Sequence, residues 1–144
     1  MYNKKVLVVD DQYWIRVMMK EVLSDSGFTT YIASSHTEAV EILKSDLPDI
    51  VILDVKLQDT DGFELLSTLR KIKSDIKAVF ISGSPNAVYA QRAMAEGALR
   101  YFIKRFDIFE FATFLVEISS LDSASRGEGK WRMNGVKVKE TFRS

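Results

Sequence analysis

Five short apolar runs punctuate the chain at regular intervals, and each is followed by a segment with helical spacing. Val6-Leu7-Val8-Val9, Ile50-Val51-Ile52-Leu53 and Ala78-Val79-Phe80-Ile81 are apolar at every position and rich in β-branched residues. That is the pattern of strands covered on both faces. Residues 28–33 and 101–103 supply two further strands. Between them, Ile15, Met18, Met19, Val22 and Leu23 recur at helical spacing, as do Ala39, Val40, Ile42 and Leu43, then Phe63, Leu65, Leu66, Leu69 and Ile72. Gly27 and Gly97 stand where helices end, and Ser35 with Glu38 reads as a capping box. A fourth helix runs to Glu96 and a fifth spans roughly 107–121. Strict alternation of buried strands and helices predicts an α/β fold, a five-stranded parallel sheet with helices on both faces.

In such sheets ligands bind beyond the carboxyl ends of the strands. Those ends carry a coherent set here: Asp10 and Asp11 after the first strand, Asp54 after the third, Ser82 after the fourth and Lys104 after the fifth. Taken singly, each has an ordinary structural explanation, because Asp favours turns and a Lys after a strand is usually solvated. Their co-occurrence at one end of one sheet is the informative observation. Clustered carboxylates repel unless a cation neutralises them, and hard oxygen donors of this kind suit Mg²⁺. Lysine and serine are fitted to the oxygens of a phosphoryl group.

Composition removes several other chemistries. No cysteine is present, which excludes disulfides, thiol catalysis and Cys-ligated zinc. No run approaches the roughly 18 apolar residues of a membrane span, and the N-terminus lacks the apolar stretch of a secretory signal. A cytoplasmic protein with no membrane association is the expectation. The 20 basic and 20 acidic side chains cancel, but unevenly. Residues 1–122 hold 14 basic and 18 acidic side chains, whereas residues 123–144 hold 6 and 2. An acidic domain over 1–122 is thus followed by a linker and basic tail over 123–144, with a small hairpin expected about Asn134-Gly135. Six cations make too small a patch to expect direct nucleic-acid binding. His36, the single histidine, is expected to be a solvated residue near a helix start.

The ordered set Val8-Val9-Asp10-Asp11, Ile52-Leu53-Asp54, Asp61-Gly62, Ile81-Ser82-Gly83 and Glu96-Gly97-Ala98, followed by Tyr101 and Lys104, resembles the receiver domain of two-component response regulators over about residues 4–120. The resemblance implies a flavodoxin-like sheet of order 2-1-3-4-5 and a phosphoryl acceptor at Asp54. By the same resemblance Asp11, Asp54 and the Lys56 carbonyl would bind Mg²⁺, and Asp10 would act through a bound water. Lys104 and Ser82 would hold the phosphoryl oxygens, and Tyr101 would be a switch aromatic. Implied partners are a histidine kinase or phosphotransfer protein. Any catalysis would be limited to self-phosphorylation and self-dephosphorylation of Asp54, without turnover of a small-molecule substrate.

Departures from the family pattern are Arg105, where proline usually follows the lysine, and Gln58, where proline is common. Arg105 supports a second reading, an interaction or dimerisation module whose phosphorylation is vestigial. A flavodoxin-like cofactor binder is a third, disfavoured because no glycine-rich loop follows the first strand. Two apolar surfaces exceed what a core needs. Tyr13, Trp14 and Val17 lie off the buried face of the first helix, near the acidic cluster. In the last helix Phe106, Ile108, Phe109, Phe111, Phe114, Leu115, Val116 and Ile118 wrap most of the circumference, so burial on more than one side is expected, by the tail (through Trp131 and Val136) or by a homodimer or effector. No second domain large enough to be an enzyme or DNA reader follows within the 144 residues, so output is expected through protein contacts.

Overall fold

A computed structural model describes residues 4–104 and 107–123. The elements are β1 (Lys5–Val9), α1 (Tyr13–Asp25), β2 (Thr29–Ala33), α2 (His36–Asp46), β3 (Ile50–Asp54), α3 (Gly62–Ile72), β4 (Lys77–Ser82), α4 (Ala87–Ala95), β5 (Arg100–Ile103) and α5 (Ile108–Ser123). The strands form one sheet in the order β2-β1-β3-β4-β5, and every pairing is parallel. The alternation expected from the apolar runs is the one observed.

Period-two alternation along the strands divides the core into two layers. Leu7, Val9, Val51, Leu53, Ala78, Phe80 and Tyr101 face α2, α3 and α4, where Leu43, Phe63, Leu65 and Leu69 meet them. Val6, Val8, Ile50, Ile52, Val79, Ile81 and Phe102 face α1 and α5, against Ile15, Met19, Phe111 and Leu115. The central strands β1 and β3 have neighbours on both edges and helices on both faces, which accounts for the unbroken apolar runs Val6–Val9 and Ile50–Leu53, with the polar residues Lys5 and Asp54 only at strand ends.

Local chemistry sets the element ends, with instructive departures. Ser35 caps α2 by accepting from the Glu38 N–H, but the Glu38 carboxylate returns to the N–H and hydroxyl of Ser34 instead of closing the box on Ser35. The C-terminus of α2 is turned by Leu47 in the left-handed region (φ 50°), where glycine is the usual occupant. Pro48 follows immediately and bars continuation of the helix. Phe28 precedes β2 and fills the α1/α5 layer.

The last helix packs one side against the sheet, and its expected second cover, the tail or a partner, lies outside the described residues. Among the described residues α5 buries one broad face, with Phe111, Ala112, Phe114, Leu115 and Ile118 inward and Ile108 and Val116 half-buried, while Phe109 is 72% exposed. Phe109 lies one turn before Thr113 on the polar stripe, and Thr113 Oγ1 donates to its carbonyl. Arg105, Phe106 and the expected tail hairpin lie outside the described residues.

At the start of α4, Asn86 Oδ1 accepts from both the Val88 and Tyr89 N–H groups. With nine residues, this helix depends more on its cap than a long one does. Asn86→Ala should cost about 1 kcal/mol of stability. Chemical denaturation checks the magnitude, and faster amide exchange confined to α4 would locate the loss.

Candidate functional site

The carboxyl edge of the sheet gathers the residues singled out from the sequence. Asp10 is fully buried at the end of β1, Asp54 is 4% exposed as the last residue of β3, and Asp11 is half-buried between β1 and α1. One carboxylate oxygen from each lies within 4.8 Å of the others. Lys104, just past β5, reaches into this group. Its Nζ stands 2.8 Å from Asp54 Oδ2 and 3.1 Å from Asp10 Oδ2, and it also donates to Gln12 Oε1.

The remaining lone pairs are directed by backbone donors. Asp10 Oδ1 accepts from the Gln12 N–H at 2.8 Å, and Asp54 Oδ1 from the Lys56 N–H at 3.2 Å. Arg16 donates to the Asp10 carbonyl at 2.7 Å, tying the first turns of α1 to the end of β1. The loop after Asp54 is tied by an antiparallel bridge between Lys56 and Asp61 and by the Gly62 N–H donating to the Val55 carbonyl at 2.7 Å.

Three carboxylates against one ammonium leave the site electron-rich, and burial makes that costly. Burial, with the Asp54 charge adding to it, pushes the Asp10 carboxyl from 3.8 to about 6. Asp54 is also raised, again by burial first, although contact with Lys104 and the Lys56 N–H opposes the shift. Burial would lower the pKa of Lys104, but its hydrogen bond to Asp54 and the charges of Asp10 and Asp54 together hold it above the ordinary value. The acids are therefore the strained partners. An oxygen-only donor set carrying excess negative charge fits a hard divalent cation such as Mg²⁺.

Ser82 and Tyr101 meet at one carbonyl. The Ser82 hydroxyl accepts from the Ser84 N–H at 3.2 Å and donates to the Ser84 carbonyl at 3.3 Å. The Tyr101 hydroxyl donates to that same carbonyl at 3.1 Å, and its ring is only 2% exposed. Lys56 is exposed, with its ammonium over the Tyr89 ring at 5.8 Å. His36 is half-buried as the first residue of α2, and its N–H donates to Asp59. Of the residues near the first helix, Tyr13, Trp14 and Val17 are 72%, 56% and 40% exposed.

Sequence reasoning missed Gln12 and Arg100, and it named Gly62 only as part of the Asp61-Gly62 motif, without its contact with the Asp54 carbonyl. Gln12 follows two acids that invite a side-chain turn, so its backbone role was readable, but its contact with Lys104 joins residues 92 positions apart. Arg100 is buried with its guanidinium over the Phe102 and Phe114 rings, and burial lowers its pKa to about 10. Among the described residues no helix is long and apolar enough to cross a membrane.

Comparison with known proteins agrees with this architecture. The family model described as response regulator receiver domain matches residues 6–115. Sporulation initiation phosphotransferase F of Bacillus subtilis is 36% identical over 110 residues, covering 76% of this chain and 89% of the relative. A putative transcriptional regulator of Pseudomonas aeruginosa is 32% identical over 107 residues, and the chain spans only about half (52%) of its length. Among solved structures, the non-phosphorylated HemR receiver domain of Leptospira biflexa superposes with a TM-score of 0.76 at 27% identity, covering 83% of this chain and 96% of that one. With the matched segment running from β1 into α5 and the sheet order shared, the chain belongs to the response regulator receiver family.

Proposed function

We propose that the chain accepts a phosphoryl group on Asp54 from a histidine kinase or phosphotransfer protein and switches a protein-interaction face built from α4, β5 and α5. The observation that carries this reading is the position of Asp54 at the carboxyl end of β3, 2.8 Å from Lys104 and clustered with Asp10 and Asp11. The similarity to a protein named a phosphotransferase favours the choice of partner, and the reading places the transfer in the cytoplasm.

In the transfer, an Asp54 carboxylate oxygen attacks the donor phosphorus and forms an acyl phosphate. The bond from phosphorus to the donor nitrogen breaks, and the electron pair leaves on the donor. Asp11, Asp54 and the Lys56 carbonyl would hold Mg²⁺, with Asp10 acting through a water. The cation supplies charge neutralisation for the transferred group. Lys104 already rests on the acceptor and keeps its proton, so it can follow the charge onto the phosphoryl oxygens without titrating.

The switch follows from the shared carbonyl. Ser82 must leave Ser84 to donate to a phosphoryl oxygen, which removes two of the contacts that hold Ser84 in place. The Tyr101 hydroxyl bonds the same residue, so its anchor moves with the loop. A local charge change thereby biases a packed aromatic on β5.

The test uses the full chain with Mg²⁺ and acetyl phosphate, read by intact mass. Wild type should gain the mass of one phosphoryl group, and Asp54→Ala should gain none. A folded wild-type protein that stays unmodified under those conditions sinks the proposal.

A further inference from the structure

A groove of about 320 Å³ opens between the C-terminal half of α1 and the exposed side of α5. Its apolar wall comes from Val22, Phe109, Ala112 and Val116, and its rim carries Asp25 and Glu117. It lies on the α1/α5 side of the sheet and takes no part in the acidic site. An exposed Phe109 flanked by the half-buried Val22 and Val116, beside two carboxylates, asks for a ligand in which aromatic or aliphatic groups alternate with cations.

The same chain carries such a segment. Lys130-Trp131-Arg132-Met133 and Val136-Lys137-Val138-Lys139 interleave apolar and basic residues, within a stretch of 6 basic and 2 acidic side chains. It lies beyond the family match, which ends at residue 115. Reach permits the contact. From Ser123 back to Phe109 along α5 is roughly 21 Å. The residues leading from Ser123 to Trp131 can extend over roughly 25 Å.

We propose that residues 130–139 dock into the α1/α5 groove of their own chain, with Trp131 against Phe109 and the neighbouring cations facing Asp25 and Glu117. The receiver then carries its own cover for α5, next to the face proposed to change on phosphorylation. A partner binding that side of α5 must displace the segment first.

The chain has two tryptophans, Trp14 and Trp131, so Trp14→Phe leaves Trp131 as the single indole reporter. In that full-length background, Trp131 emission should be blue-shifted relative to a free indole. Acrylamide should quench it severalfold less, independently of protein concentration. Phe109→Glu, at an exposed position, should shift emission to the red and restore quenching. Asp25→Lys combined with Glu117→Lys should do so in part. Free-indole emission that ignores Phe109→Glu overturns the proposal. Protection that appears only as concentration rises, with a dimer seen by light scattering, also overturns it and assigns the groove to a second copy.

Discussion

Metal-free protein should become less stable as pH rises from about 4 to about 6, and Asp10→Asn should abolish most of that loss. The folded Asp10 carboxyl titrates near 6, whereas in the unfolded chain it titrates near 3.8. Between those values the folded state holds a proton that the unfolded state has released. Stability is then fully present below about 4 and declines as pH climbs through 6. Two pH units correspond to about 3 kcal/mol, an upper figure because Asp54 shares the titration with Asp10. Asparagine keeps the acceptor for the Gln12 N–H but carries no charge to bury. At pH 7 the variant should therefore exceed wild type by about 2 kcal/mol without metal. Urea denaturation in chelator at pH 5 and pH 7 reads both proteins. Mg²⁺ should raise wild-type stability at pH 7 and the variant's far less. Parallel pH profiles for the two proteins would show that Asp10 is not the strained acid.

A second large effect is expected at Gly62, through sterics and not through charge. A Cβ at this position would lie 2.4 Å from the Asp54 carbonyl oxygen and 3.1 Å from a Phe80 ring carbon. The first neighbour is backbone in the middle of the sheet and cannot swing away. Gly62→Ala must push α3 outward or shift the end of β3, at a cost of about 3 kcal/mol. The hydrogen bond from the Gly62 N–H to the Val55 carbonyl would stretch with it. Since β3 delivers Asp54, the proposed acceptor, the variant should also take up phosphate from acetyl phosphate more slowly than wild type under conditions where both are folded. Denaturant midpoints give the first number and intact mass against time gives the second. An alanine variant as stable as wild type would mean that α3 can ride away freely.

The strands were readable because a parallel sheet covered on both faces demands unbroken apolar runs, and Val6–Val9 and Ile50–Leu53 admit few other structures. The acids and the lysine were readable because each ends one of those runs. Contacts that depend on exact approach were not. Nothing in the stretch Asp59-Thr60-Asp61-Gly62 signals that the glycine backs onto the carbonyl of Asp54. Gln12 meets Lys104 only because the sheet brings β1 and β5 to a common edge. The composition of α5 did not say which of its aromatics faces the sheet: among the described residues Phe111 and Phe114 turn inward while Phe109 stands on the outer side. Arg100, a cation at the head of a short strand, reads as exposed, but two phenylalanine rings cover it.

The strand order also sets a timetable for synthesis. β1 is made first and is paired on both edges, by β2 and by β3, so its ladder closes only when residue 53 has left the ribosome. At that moment Asp10 and Asp54 are brought side by side, while Lys104 is still fifty residues away along the message. A three-strand sheet formed during synthesis would confront its acidic pair before the side chain that neutralises it exists. Divalent cations present during translation would meet that need, and the acidic edge would be screened by solvent ions until the fifth strand arrives.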